Sequence, residues 1–150
     1  MTKKGGGIRK TLTSRQPLTR SEVMSRVRSV DTKPEMLVRR TLWRAGLRYR
    51  LHDRNLPGKP DIVFKAKRVA VFVHGCFWHG HEGCPRHRIP KTRSEWWAAK
   101  IARNKERDEA AMKALTVMGW RVIVLWECEL PEPGKLEDVA RSIKNMPRVS

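Results

Sequence analysis

The sequence of 150 residues predicts one α/β domain with a mixed central β-sheet flanked by helices. Two apolar runs joined by a short turn indicate a hairpin, and a third run rich in Val, Ile and Leu indicates a buried strand. Capping patterns and glycines place helices before, between and after these runs. The longest apolar runs, residues 69–73 and 122–126, have five residues each, far fewer than the ~20 that span a membrane.

Two helices are predicted ahead of the strands. The first is expected over residues 19–30, with its apolar side chains on one side: Val23, Met24 and Val27. The second begins at Thr32, because TKPE provides a capping residue, a proline suited to the first turn, and Glu35 to reach back to the cap. Gly46 is expected to end this helix.

The strands follow in chain order, and a rigid LPGKP connection at 56–60 separates the first from the second. The predicted strands are residues 47–52, 61–65, 68–74 and 120–126. The second and third form the hairpin, with a turn around residues 66–67. The polar segment 75–93, rich in His, Cys, Gly and Pro, is expected to be a loop.

Two more helices complete the prediction. A second capping pattern, from Thr92 to Glu95, is expected to open a long helix that runs to about Met118 and ends at Gly119. After a turn rich in Pro and Gly, residues 135–144 are expected to form the last helix.

The charge of the chain is strongly positive and unevenly distributed. With 33 Lys+Arg against 15 Asp+Glu, the formal net charge is +18. Consecutive segments of 50 residues carry +11, +6 and +1, so the surplus lies in the first two. Such an uneven distribution of excess positive charge is typical of a protein that binds a polyanion. A charged domain without such a partner is the alternative, and a membrane surface is disfavoured because no basic amphipathic helix stands alone.

Residues 1–18 are predicted to be a flexible basic arm, and residues 19–150 to be the single domain. The arm has three consecutive glycines and no acidic residue. An organellar transit peptide has a similar composition but an amphipathic pattern, of which this arm shows little. Because no apolar stretch of a secretory signal is found near the start, an intracellular location is expected.

The three cysteines occupy positions 76, 84 and 128, and histidines surround the first two. An odd number disfavours a framework of disulfides. Thiolate and imidazole ligands suit tetrahedral zinc, and Cys76, His81, Cys84 and Cys128 form a candidate set. Buried, unreactive cysteines are the alternative, and His87 is a substitute for His81 as the fourth ligand.

Asp61 begins the predicted hairpin and His74 ends it, so the two side chains are expected to lie close together. Phosphodiester hydrolysis needs a hard cation held by oxygen ligands and a group that activates water. Asp61 supplies the first, and His79 or His74 supplies the second. Taken alone, an aspartate at the start of a strand is more simply a turn or cap residue, and His74 is more simply structural.

Aromatic residues occur in the polar loop, at Phe77 and Trp78, and in the first turn of the long helix, at Trp96 and Trp97. Exposed aromatic side chains of a basic protein can wedge between base steps. The free energy of unstacking that this requires is smallest where a base pair is already mismatched. Core packing is the alternative and stays open for Trp97. The remaining tryptophans are assigned to the core: Trp43, Trp120 and Trp126.

Six stretches together resemble the very short patch repair (Vsr) endonucleases: LPGKPD at 56–61, VHGCFWHGH at 73–81, TRSEWW at 92–97, NKERD at 104–108, GWRV at 119–122 and WEC at 126–128. The resemblance runs from about residue 20 to about residue 130. It implies a restriction-endonuclease-like fold, that is, a mixed β-sheet flanked by helices, with a structural zinc site.

The resemblance implies a magnesium-dependent, strand-specific endonuclease that nicks duplex DNA 5′ to the T of a T:G mismatch left by deamination of 5-methylcytosine. The implied Mg²⁺ ligands are Asp61 and the backbone carbonyl of Val73. His79 resembles the residue that activates water and His74 its supporting histidine, and the implied catalytic set is Asp61, His79, His74, Asp108 and Glu35. The implied Zn²⁺ ligands are Cys76, His81, Cys84 and Cys128, and the implied intercalating residues are Phe77, Trp78 and Trp97.

Double-stranded DNA with a T:G mismatch is the implied partner, with mismatch-repair proteins as further partners. A monomer that acts at the bacterial nucleoid in the cytoplasm is expected. Two other functions stay open on the residues. One is a nuclease of the same fold that cuts matched DNA as a restriction enzyme, and the other is a zinc-containing protein that binds mismatched or bent DNA without cutting.

Overall fold

The computed structural model describes residues 17–25 and 31–149 and shows one sheet between two helical layers. The helices are α1 (Arg20–Ser25), α2 (Lys33–Arg44), α3 (Ser94–Val117) and α4 (Lys135–Asn145). The strands are β1 (Arg50–Leu51), β2 (Ile62–Phe64), β3 (Val69–His74) and β4 (Arg121–Trp126). They lie in the order β1-β2-β3-β4, antiparallel except for the parallel pair β3–β4, so the predicted mixed sheet flanked by helices is confirmed.

The hairpin forms where the sequence predicts it. β2 and β3 pair antiparallel with Phe64 opposite Val69, and a 3₁₀ turn over Lys65–Lys67 joins them. Arg68 closes the turn in the left-handed region, with φ of 50°. The hairpin places Pro60 and Asp61 beside the far end of β3, where the site described below is built.

The two faces of β3 pack against different helices because its side chains alternate. Val69 and Val71 join a core with α2 and α4, whose buried contributors include Val38, Leu42, Leu136 and Ile143. Ala70 and Phe72 face α3, where Leu115 is buried. The strand predicted at residues 120–126 is present as β4, but the prediction that it is buried is wrong: β4 has a single neighbour in the sheet among the described residues, and of its six residues only Leu125 is buried.

The start of α2 follows the predicted cap in part. Thr32 Oγ1 accepts a hydrogen bond from the Glu35 backbone N–H at 3.4 Å, and Pro34 lies in the first turn. The Glu35 side chain does not return to the cap, because its carboxylate lies 3.1 Å from the His52 imidazole. The helix ends at Ala45, and Gly46 follows with φ of 88°, as expected for the residue after a helix.

Two other local predictions are wrong. The residue that caps α3 is Arg93 in the left-handed region, with no capping bond from a side chain, so Thr92 does not open a capping box. The first strand is only Arg50–Leu51, because His52 takes a positive φ of 47° and turns the chain away from the sheet.

Trp43, which the sequence assigns to the core, is 51% exposed and carries the Arg48 guanidinium 3.5 Å above its ring. Trp120 is partly buried and packs against the α3 core, and Trp126 is also partly buried. The stacked guanidinium shields one face of the Trp43 ring from water. Placing this ring at the surface therefore costs less free energy than exposing an uncovered indole.

One residue of the apolar side predicted for the first helix is described with its side chain, and it lies at the surface. Val23 is exposed, whereas Ser21 is buried. The Met24 side chain, Val27 and the first 16 residues of the predicted arm lie outside what the structure describes. Within the described parts of the chain, no helix is long and apolar enough to cross a membrane.

Candidate active site

Asp61 is held rigidly between the two strands of the hairpin. Its carboxylate Oδ2 accepts a hydrogen bond from the backbone N–H of Val73 at 2.7 Å, and its carbonyl accepts one from the His52 N–H at 3.0 Å. Burial raises the pKa of Asp61 to about 6, and the nearby Glu35 carboxylate adds to the rise. The cost of ionising this carboxylate would fall if a cation were bound beside it.

His74 and His79 form a stacked pair beside Asp108. The two imidazole rings lie 3.7 Å apart and 3° from parallel. His79 Nδ1 lies 2.6 Å from Asp108 Oδ2, and this carboxylate on α3 favours a proton on Nδ1. His79 Nε2 is thereby left as the acceptor nitrogen of the ring.

His74 is a buried member of this pair, 3% exposed. Its pKa is lowered to about 4, chiefly by burial and further by the adjacent His79, so it is neutral at physiological pH. Even-numbered positions of β3 face α3, which is why the last residue of the strand comes to lie beside Asp108 of that helix. Asp108 is therefore the direct partner of His79, and Glu35 lies in a separate group.

Glu35 belongs to a polar group that the sequence did not reveal. Its side chain is 3% exposed, and His52 Nε2 lies 3.1 Å from its Oε1 and 3.7 Å from Asp31 Oδ1. The other ring nitrogen, His52 Nδ1, lies 4.0 Å from Asp61 Oδ1. His52 is 17 residues from Glu35 along the chain, and no local spacing pattern connects the two, so this contact depends on the tertiary fold.

One cavity of about 1180 Å³ is lined by members of each of these groups: Asp31, Glu35, Asp61, His79 and Asp108. Its acidic lining comprises Asp31, Glu35, Asp61, Asp108 and Glu127, and its basic lining comprises Lys33, Arg54, Lys59, Lys100 and Arg107. The cavity lies at the carboxyl ends of the parallel strands β3 and β4, the edge at which open α/β sheets commonly bind ligands. The mixture of carboxylates and cations suits a polyanionic substrate that is brought to a bound metal ion.

Four aromatic residues form a cluster at one side of this cavity. Phe77 and Trp97 are 3% and 1% exposed, whereas Trp78 is partly buried and Trp96 is exposed. The Trp97 indole N–H donates to Ser21 Oγ at 2.7 Å, so α1 contacts the cluster directly.

Further contacts hold α1 and the aromatic loop in place. The Arg20 guanidinium lies 5.8 Å from the centre of the Phe77 ring, and its Nε donates to the Arg88 carbonyl at 3.2 Å. Asn104 of α3, which the sequence did not single out as functional, donates to the Trp78 carbonyl at 3.0 Å. Lys100 also lies within 5.3 Å of the centre of the Trp78 ring.

The Cys and His residues come together as the sequence predicts. The donor atoms of Cys76, His81, Cys84 and Cys128 all lie within 4.8 Å of one another, and His87 is not among them within the described residues. Cys128 Sγ and His81 Nδ1 are 3.4 Å apart, and the His81 ring stacks on Trp126 at 4.1 Å.

The parallel pairing explains how this cluster assembles. β3 and β4 end together, so the loop after β3 meets Cys128, which follows β4. Glu127 strengthens this junction, because its carboxylate accepts from the Cys76 N–H at 3.2 Å and its own N–H donates to the His74 carbonyl at 3.0 Å. Burial raises the pKa of the Cys76 thiol to about 12, and a cation bound beside the sulfur would favour the thiolate instead. Three sulfur donors and one imidazole nitrogen fit tetrahedral zinc.

The chain is similar to known DNA endonucleases. The sequence profile described as DNA mismatch endonuclease Vsr matches residues 13–86. The type II nicking enzyme V.XorIIP of Xanthomonas oryzae pv. oryzae (strain KACC10331 / KXO85) is 50% identical over 127 residues, which cover 85% of this chain and 93% of that protein. The DNA mismatch endonuclease Vsr of Escherichia coli (strain K12) is 43% identical over 122 residues, which cover 81% of this chain and 78% of that protein.

The α/β fold, the cavity that joins Asp61 to the His79–Asp108 pair, and these similarities define a DNA endonuclease, a hydrolase of phosphodiester bonds. The chain belongs to the Vsr family of DNA mismatch endonucleases.

Proposed function

We propose that this endonuclease makes a Mg²⁺-dependent nick in one strand of duplex DNA, 5′ to the T of a T:G mismatch. The observation that carries the proposal is the convergence of Asp61 and the His79–Asp108 pair on one cavity. The specificity for T:G follows from the family resemblance, and the single nick is in keeping with relatives that are named nicking enzymes.

Asp61 is the proposed protein carboxylate for the catalytic metal, with the backbone carbonyl of Val73 as a second oxygen ligand. The donor set fits a hard cation, because the Asp61 carboxylate is partly buried and, among the described residues, accepts a hydrogen bond at Oδ2, whereas Oδ1 has His52 Nδ1 at 4.0 Å. When bound there, Mg²⁺ supplies a Lewis acid for the scissile phosphate. The Val73 N–H bond fixes the direction of the carboxylate, so no reorganisation is needed when the ion enters.

His79 is the proposed general base. With Nδ1 held at 2.6 Å by Asp108, its Nε2 is free to take a proton from water, and the carboxylate stabilises the resulting imidazolium. His74 is the proposed positioning residue, because its neutral ring stacks flat on His79 and limits the rotation of that ring. Glu35 does not contact this pair and acts instead through His52.

A structural zinc ion is proposed at Cys76, His81, Cys84 and Cys128. The loop between the first two ligands carries Phe77, Trp78 and His79, so the cluster anchors both the aromatic residues and the general base. Without the ion, the loop would keep the Glu127 hydrogen bonds at the end of β4 but lose the four metal–ligand bonds that cross the same junction.

The intercalation proposed for Phe77, Trp78 and Trp97 requires a rearrangement of α1. In this structure Trp97 is buried beneath Ser21, and Arg20 lies over Phe77. We therefore place the displacement of α1 before the insertion of these rings, with the stacking on bases replacing the contacts to α1. Trp78 retains exposed surface and would meet the DNA first.

The test uses 5′-labelled duplexes that are matched or contain a single T:G pair, each with and without Mg²⁺. The proposal expects one cut, on the T strand only, in the mismatched duplex with Mg²⁺. Cleavage of both strands in matched DNA would instead establish a restriction-type nuclease. Tight binding of the mismatch without cleavage at any Mg²⁺ concentration would establish a binding protein.

The remaining expectations about the cellular context also belong to this proposal. The protein is proposed to act as a monomer on chromosomal DNA in the bacterial cytoplasm, with mismatch-repair proteins as further partners. Sedimentation of the protein with a T:G duplex tests the first point, because a single 17.4 kDa chain on each duplex is expected. Two chains on each duplex would contradict it.

A further inference from the structure

We propose that Asp31, Glu35 and His52 form a second cation site, separate from the magnesium site at Asp61, that takes a first-row divalent transition-metal ion such as Mn²⁺. One oxygen of each carboxylate and His52 Nε2 lie within 4.8 Å of one another, at the N-terminus of α2. The inference goes beyond the proposed function, because it depends on neither the nick nor the mismatch.

The strongest support is the buried side chain of Glu35. It is 3% exposed and faces the cavity, and neither of its carboxylate oxygens has a hydrogen-bond partner among the described residues. A buried carboxylate without such partners is costly unless a cation or a donor compensates it. Arg39 donates to Asp31 at 2.8 Å and not to Glu35.

The geometry of His52 and Glu35 is that of two ligands rather than of a donor and an acceptor. Nε2 and Oε1 are 3.1 Å apart, yet Nε2 has no hydrogen-bond partner in the described part of the chain, so the ring N–H does not point at the carboxylate. Adjacent ligands about 2.1 Å from an octahedral ion are separated by about 3 Å. Asp31 Oδ1, at 3.7 Å from Nε2, lies between the adjacent and opposite positions of such a shell.

The imidazole selects the class of ion. Carboxylates alone suit Mg²⁺ and Ca²⁺, whereas an imidazole ligand favours first-row transition metals. Mn²⁺ accepts both donor types. The other ring nitrogen, Nδ1, lies 4.0 Å from Asp61 Oδ1, which is too far for a hydrogen bond, so the proposed site does not depend on Asp61.

A cation here would change the electrostatics of the cavity. Glu35 and Asp31 are two of its five acidic lining residues, and both repel a phosphate that approaches Asp61. The two positive charges of an ion held there would cancel the two negative charges of these carboxylates, and so remove the repulsion, without occupying Asp61. Arg39 donates to the same oxygen, Asp31 Oδ1, that lies 3.7 Å from His52 Nε2, and this oxygen has a second lone pair for an ion.

The test measures Mn²⁺ binding by the electron paramagnetic resonance signal of the free ion, with the full-length, zinc-loaded protein. Asp61→Asn is the background, because it removes the magnesium site. This variant is expected to bind one Mn²⁺ ion. Adding His52→Gln should weaken the binding at least about tenfold, whereas adding Asp138→Asn, an exposed carboxylate on α4, should leave it unchanged.

Loss of Mn²⁺ binding in Asp61→Asn alone, or equal binding with and without His52→Gln, would overturn the proposal and leave His52 as an ion-pair partner only. Melting temperature and zinc content show whether each variant is folded. A second measurement needs no change at His52: in Asp61→Asn, Mn²⁺ should broaden the imidazole proton resonances of His52 before those of His79. Broadening of His79 alone would also overturn it. Because cleavage is not measured, these outcomes are independent of the proposed function.

Discussion

The two faces of β3 show how one strand can serve both stability and chemistry. Toward α2 and α4, Val69 and Val71 join a core of twelve buried apolar residues. Toward α3, the corresponding cluster has three buried residues, and the strand then ends at His74, whose Nδ1 has no hydrogen-bond partner among the described residues. The apolar side stabilises the fold, and this allows the α3 side to hold polar groups at a cost in stability. The predictions below test this division.

The largest effect is expected from loss of the Cys/His cluster. Cys128→Ser should abolish zinc binding and lower the free energy of unfolding by as much as ~10 kcal/mol, comparable with the whole stability of a domain. Zinc content and thermal unfolding measure this change. His87→Ala is the matched control, because His87 lies outside the cluster. Full zinc content in Cys128→Ser would contradict the ligand assignment.

Asp61→Ala should greatly reduce the cleavage rate and leave the fold intact. Nicking is expected to fall at least about a thousandfold, equivalent to about 4 kcal/mol in the activation free energy. The affinity for DNA should change little, because the basic lining of the cavity remains. Single-turnover cleavage and a binding titration measure the two effects, with Asp138→Ala on α4 as the control. A variant that nicks at the normal rate would remove Asp61 from the site.

Leu42→Ala should lower the stability of the fold and leave cleavage unchanged. Leu42 is fully buried between α2 and the sheet, so the cavity left by truncation should cost about 3 kcal/mol of stability. The single-turnover nicking rate of the folded protein should remain unchanged. Denaturant unfolding and cleavage well below the melting temperature test this expectation. A tenfold loss of rate in the folded variant would show that the α2/α4 core also controls the site.

The Asp61 pKa predicts a stability cost that depends on pH. Because the folded pKa of about 6 lies above the ordinary value of 3.8, the folded state binds the proton more tightly. Stability should therefore fall as pH rises from about 4 to about 6, by at most about 3 kcal/mol. Asp61→Asn should remove this fall, so it should be more stable than wild type above pH 6 in Mg²⁺-free buffer and similar below pH 4. Parallel pH-dependent curves for the two proteins would contradict it.

The smallest effect concerns the contact between α1 and the aromatic cluster. Ser21→Ala removes the acceptor of the Trp97 N–H, which should weaken the docking of α1 by about 1 kcal/mol. If α1 must move before intercalation, affinity for a T:G duplex should rise up to about fivefold, with a change in tryptophan fluorescence. Thr116→Ala, which removes an exposed hydroxyl on α3, is the control. Weaker binding by Ser21→Ala would show that docked α1 is the active form.

Much of the fold could be predicted because its signals are local. Three features each depend on a few adjacent residues, and all three are present: the β2–β3 hairpin, the N-cap at Thr32 and the end of α2 before Gly46. The failures were also local patterns, overridden by tertiary context. Thr92 had the sequence of a cap, but α3 begins after Arg93 in a left-handed conformation. Trp43 had the size of a core residue, but Arg48 covers it at the surface.

The candidate site divides in the same way. The sequence by itself determined which side chains are proposed to carry the chemistry, because Asp61, His79 and the cysteines lie in dense, distinctive stretches. Only the tertiary structure decided their partners: Asp108 bonds to His79, Glu35 faces His52, and His81 rather than His87 joins the cysteines. The physical reason is that each of these contacts joins different elements of the fold. Strand pairing and the packing of α2 and α3 set the distances between such elements, which spacing along the chain does not.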